Sequence, residues 1–74
     1  MNFRELQTVV LEHDVPEHGL CRGDLGAIVL MHDQAHFEVE FVRATGETQA
    51  LLSLSAGDVR AAHDEDVIAV RPAR

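Results

Sequence analysis

Five histidines, one cysteine and thirteen carboxylates are the side chains of this 74-residue sequence with the chemistry for acid–base, nucleophilic or metal work. The histidines are His13, His18, His32, His36 and His63; the cysteine is Cys21. A zinc site needs His, Cys or carboxylate donors converging as a tetrahedron, usually signalled by CxxC, HExxH or paired histidines on a helix. None of these patterns occurs. Cys21 with His13 or His18 makes at most a partial set within one loop, and His32 and His36 flank a turn around Asp33. Exposed loop histidines and no metal site are the expectation. Cys21 as a nucleophile would need a depressed pKa and an oriented base. Arg22 beside it favours the thiolate, whereas Glu17 and Asp24 oppose it. Glu38 and Glu40 stand two apart on one strand face, about 7 Å between Cα atoms at the rise of a strand. That spacing is compatible with paired carboxylates. The outside of a small sheet, however, is convex and wet and lacks a pocket to raise a pKa. The sequence therefore predicts no catalytic residue and no cofactor.

The elements that carry these residues follow from patterning. "HFEVEFV", residues 36–42, is the clearest signal: Phe37, Val39 and Phe41 alternate with Glu38 and Glu40, the period of a half-buried strand. "TVVL", 8–11, is β-branched and reads as a first strand. "GAIVLM", 26–31, is a second, apolar on both faces. "ATGE" makes a hairpin turn at Gly46, and "TQALLSL", 48–54, returns with Ala50, Leu52 and Leu54 inward and Leu51 outside. "SAGDV" reads as a short helical turn, and "VIAVR", 67–71, as strand five before Pro72. "NFREL" reads as a helical turn whose Phe3 and Leu6 close one end of the core. Residues 12–25 form a long ordered loop: Pro16 fixes φ, Gly19 and Gly23 permit positive φ, and Val15 and Leu20 pin it.

The predicted fold is all-β, a small five-stranded SH3-like barrel with a long first loop and short helical turns, one domain over residues 1–74. Its expected core is Val9, Leu11, Ile28, Leu30, Phe37, Val39, Phe41, Leu52, Leu54, Ile68 and Val70. Closure would remove most open edges from a sheet too small to stand alone.

Composition limits function. Apolar residues make up 46% of the chain, enough for a core. Three phenylalanines are the only aromatics, so Val, Leu and Ile must fill the interior. One cysteine cannot form an internal disulfide, and the N-terminus lacks the basic start and apolar run of a signal peptide. No stretch approaches the ~20 apolar residues that span a bilayer. Together these predict a cytoplasmic protein. A net charge of −7 opposes binding to nucleic acid or to an anionic membrane and favours a protein partner with a basic surface.

"VPEHGL", "RGDLGAIV", "FEVEFV" and "TGETQALLSL" together resemble the small bacterial proteins grouped as domain of unknown function 4926. The resemblance runs over roughly residues 3–60, and "HDEDVIAVRPAR" departs from it. It implies an SH3-like module, with an antitoxin or immunity-type role beside a neighbour-encoded protein, and brings no catalytic residues. "RGDLGAIV" is also similar to the glycine-centred turn of KOW-type barrels, which bind RNA or protein through basic loops. Here the loop carries Glu12, Asp14, Glu17 and Asp24 against Arg22 alone.

The functional expectation is a non-catalytic protein-binding module. Its candidate contact residues are Glu38, Glu40, Val42, Arg43 and Leu51, an exposed Val–Leu pair beside charges. A homo-oligomer is compatible with the same face. The alternatives are an accessory or structural barrel of a larger enzyme complex and a KOW-like nucleic-acid-associated module.

Overall fold

The computed structural model describes residues 2–73. Five strands, β1 (Thr8–Leu11), β2 (Leu25–Met31), β3 (His36–Val42), β4 (Thr48–Ser55) and β5 (Val59–Ala61), form one antiparallel sheet in the order β4-β3-β2-β1-β5. The chain is all-β. Its only helical pieces among the described residues are two three-residue 3-10 turns, Pro16–His18 in the long loop and Ala56–Asp58 between β4 and β5. β4 and β5 do not pair, so the sheet is open.

One face of the sheet makes the core. Phe37, Phe41, Leu11, Ile28, Val9 and Val39 are its largest fully buried side chains. Alternation along β3 delivers three of them, with a burial pattern that switches residue by residue. Leu20, Ala50 and Val59 complete the cluster, and Phe3, Val15, Met31, Leu52 and Leu54 pack against it part-buried. Phe3 stacks tilted on Phe37, ring centroids 5.1 Å apart.

Gly26 lies where the β3 side chains leave no room for a side chain on β2. A Cβ there would lie 2.6 Å from Val39 Cγ1, 2.9 Å from Phe41 Cε1 and 3.1 Å from the Glu40 carbonyl oxygen. Two of those atoms belong to fully packed core side chains, so neither has room to give way.

Three expectations need correction. Strand five is Val59–Ala61, not 67–71. It pairs with β1 through Val9↔Ala61, Val10↔Arg60 and Leu11↔Val59, directly after the 3-10 turn. β1 then has β2 on one side and β5 on the other, so "VIAVR" finds no free side of β1. Ile68 and Val70 are accordingly 74% and 92% exposed rather than core. Leu30 is exposed too, because the β2–β3 register slips between Ile28 and Leu30. A bulge adds one residue and reverses the in–out parity beyond it, so Met31 turns toward the core instead. Leu6 does not close the core: it sits exposed in a turn at φ 70°, its N–H donating to the Ile28 carbonyl at 2.7 Å.

The long loop is held at several points. Val15 and Leu20 pair as an isolated bridge, and Gly19 ends the 3-10 turn in the left-handed region at φ 69°. Glu12 N–H donates to the Asp58 carbonyl at 2.9 Å, and His13 Nε2 lies 2.8 Å from Asp58 Oδ1. This ties the loop to the turn before β5. The tail returns to the same loop through Arg71, whose guanidinium bonds to Asp24 and to the Gly19 carbonyl. Arg60 holds Asp66 with two bonds of 3.0 Å, and that guanidinium, with the His63 N–H, brings the Asp66 carboxyl down to about 2.

Gly26→Ala should destabilise the protein by about 1–3 kcal/mol, as overpacking of a tight core does; the urea midpoint measures it, and an unchanged midpoint would contradict the close approach. The His13–Asp58 clasp predicts a pH profile. The Asp14 carbonyl, then Asp58, raises the His13 pKa above its ordinary 6.5. Its contribution is complete below 6.5 and is lost as pH rises through the raised value. Asp58 is lowered from 3.8, first by the Ser55 N–H and also by His13, so its contribution is complete above 3.8 and is lost as pH falls through the depressed value. The clasp is therefore intact between these limits. His13→Gln should flatten the alkaline decline of the thermal midpoint, and an identical decline in both proteins would rule the clasp out.

Candidate functional site

β3 and β4 present one solvent-facing surface. Glu38 lies opposite Ser53 and Glu40 opposite Leu51 across their ladder, and Val42 pairs with Thr48 after a register slip. Four of the five residues singled out by the sequence, Glu38, Glu40, Val42 and Leu51, lie on these strands, whereas Arg43 is joined through Gln49 to the His18 carbonyl of the long loop. Val42 and Leu51 are each 57% exposed. Arg43 follows β3 and donates its Nε–H to Gln49 Oε1 at 2.7 Å. Glu38 and Glu40 are half-buried by their neighbours rather than free in water.

The two carboxylates are held by different donors. The Ser53 hydroxyl lies 2.8 Å from both Glu38 oxygens, and His32 Nε2 lies 2.9 Å from Oε2. His32, then Ser53, keeps the Glu38 carboxyl below the usual carboxylate range. The Thr48 hydroxyl donates to Glu40 Oε2 at 2.6 Å. Glu38 thus remains charged under mildly acidic conditions and at a fixed position.

Serine, histidine and a carboxylate side by side invite comparison with a nucleophilic triad, but their order is different. An activated serine has the imidazole against its hydroxyl and the carboxylate behind the imidazole. Here the carboxylate stands between the two. His32 reaches Glu38 and does not touch Ser53, and a carboxylate with a depressed pKa is a weak base. The arrangement is a latch joining the β2–β3 turn, β3 and β4.

The other titratable groups are spread out. His36 Nδ1 lies 3.1 Å from Asp33 Oδ1, and the Ala35 N–H, ahead of His36, lowers the Asp33 pKa. His13 faces Asp58 and not Cys21. Cys21 is exposed, and its backbone N–H donates to Asp24 Oδ2 at 2.8 Å. Among the described residues no three His, Cys, Asp or Glu side chains converge as a metal-binding group, and no helix is long and apolar enough to cross a membrane.

Sequence reasoning missed an open groove of about 490 Å³ between the long loop and β4. Its floor is Val15, Pro16, Leu52 and Leu54, and Asp14 and Glu17 stand on the loop side. Leu52 and Leu54 were assigned to the core by alternation alone. They are half-buried because the loop stops short of covering them, and loop placement leaves no periodic signal in a sequence.

The family model described as Domain of unknown function (DUF4926) matches residues 5–61. The match runs from the turn before β1 to the last residue of β5 and stops where the sheet stops. No curated protein and no solved structure matches the chain. With all five strands inside a match that covers well over half its length, the chain belongs to the family described as Domain of unknown function (DUF4926).

Proposed function

We propose that this chain is a non-catalytic protein-binding module that docks a partner with a basic surface. The observation that carries this reading is the outer surface of β3 and β4. There, exposed Val42 and Leu51 lie among carboxylates that local donors hold in place and, for Glu38, hold ionised. Apolar residues at the centre supply affinity, and charges around them steer the encounter. The net charge of −7 acts in the same direction over longer distances. The strand order, the long first loop and the 3-10 turn before the last strand support reading the sheet as an SH3-like barrel whose β4 edge stays unpaired. Inhibition of a neighbour-encoded toxin is one form the function takes, and copurification with that neighbour's product tests it.

Association with the recovered partner should slow as salt rises, because charges act over about 8 Å at physiological ionic strength. Glu38→Gln with Glu40→Gln keeps oxygen acceptors for Ser53 and Thr48 while removing both charges. It should lower the on-rate several-fold at low salt and little at high salt. Leu51→Ala should instead raise the off-rate. Surface-immobilised kinetics at two salt concentrations separate these effects. A salt-independent on-rate, with both variants binding like wild type, would place the interface elsewhere.

A further inference from the structure

β4 is an edge strand of eight residues, "TQALLSLS", without a single charge. Natural edges are normally kept short or blocked by charged residues, proline or a covering loop. The opposite edge follows that rule: β5 has three residues, and one of them is Arg60. Between Phe37↔Leu54 and Phe41↔Ala50 the β3–β4 register runs without a slip. The Ala56 N–H donates to the Ala35 carbonyl at 2.9 Å two register steps before this run, beyond His36↔Ser55. Bonded and non-bonded pairs alternate in an antiparallel ladder. Leu54, Leu52 and Ala50 therefore exchange bonds with β3, while Ser55, Ser53 and Leu51 turn their N–H and C=O groups to the open edge. Ser55 fits this parity, since its N–H is taken by Asp58 Oδ2 at 2.9 Å outside the ladder. Among the described residues no hydrogen bond engages the N–H groups of Leu51 and Ser53.

Both sides of this edge are apolar at the centre; the outer side is bordered by carboxylates and the inner side by two carboxylates and two histidines. On the inner side lies the groove with Leu52 and Leu54 on β4 and with His13, Asp14, Glu17 and His18 on its loop wall, so its wall takes apolar side chains and the charge preference comes from the outer side and the net charge of −7. On the outer side Leu51 lies opposite Glu40 and Ser53 opposite Glu38. A strand laid along the edge would send alternate side chains to the two sides. Two copies pairing β4 to β4 would bring two acidic loops together, each on a chain of net charge −7, which charge repulsion disfavours.

We infer that the β4 edge binds an extended basic segment of the partner by strand addition, through the outward backbone groups of Leu51 and Ser53, with alternating apolar and cationic side chains in the groove and over the Glu38–Glu40 face. This rests on the basic-partner reading above and names how and where that partner is held.

The test uses amide hydrogen exchange by NMR on the full chain, with the peptide acetyl-(Lys-Val)4-amide as probe and acetyl-(Glu-Val)4-amide as its control. In the free protein Leu51 and Ser53 should exchange quickly while Ala50, Leu52 and Leu54 are protected. Millimolar Lys–Val peptide should slow Leu51 and Ser53 at least tenfold, and the Glu–Val peptide should not. Ser53→Pro deletes one outward donor and leaves the bonds at Leu52 and Leu54, so it should abolish the protection at Leu51; Ser53→Ala should retain it. The wild-type measurement decides the matter even if the proline variant fails to fold. Lys–Val binding that shifts Glu38 and Glu40 without slowing Leu51 or Ser53 would overturn strand addition and leave the basic-partner reading standing. No binding of the Lys–Val peptide would overturn both. Equal protection by the two peptides would remove the charge preference, and protection that grows with protein concentration alone would make a second copy the occupant.

Discussion

The close approach of β2 to β3 at Gly26 is the constraint on which the rest of the structure depends. With Val39 Cγ1, Phe41 Cε1 and the Glu40 carbonyl at the position a side chain would take, the β3 side chains pack directly over the β2 backbone. A chain this short has little interior volume, and packing against bare backbone at Gly26 helps Phe41 and Val39 reach essentially complete burial. Val9, which pairs directly with Gly26, is buried by the same approach. The core is thus built around a missing side chain as much as around those present.

The open sheet has two edges with different fates. β5 is short, follows a 3-10 turn and is backed by Arg60 bound to Asp66. β4 is long, uncharged and bordered by a groove that the first loop only partly walls. The loop cannot close further because it is held elsewhere, by His13 on Asp58 and by Arg71 on Asp24 and Gly19. Side chains far apart in the sequence thus determine how much of β4 stays open.

Acidity is organised locally. No polar or charged side chain is buried in the core among the described residues, so the fold carries no large desolvation penalty for charge. Instead, short-range donors fix individual carboxylates: Ser53 and His32 on Glu38, Thr48 on Glu40, Arg60 on Asp66. Exposed pairs of this sort contribute little to stability. Their effect is to orient negative charge on the β3–β4 surface.

The sequence by itself determined β1, β3, the turn at Gly46 and the inward set Phe37, Val39 and Phe41, because period-two alternation and turn chemistry are local properties that survive in any context. It also determined that Val42 and Leu51 would face outward. Pairing was beyond its reach. "VIAVR" has the β-branched residues of a strand, yet "VRA" at 59–61 became β5, because it follows the 3-10 turn directly and takes the second side of β1 before "VIAVR" is reached. Leu30 turned outward through a bulge that composition does not record. The Ser53–Glu38–His32 latch, the His13–Asp58 clasp and the groove beside β4 each join residues from separate elements. These contacts follow from chain packing alone, since they depend on the strand registers and on where the long loop comes to rest.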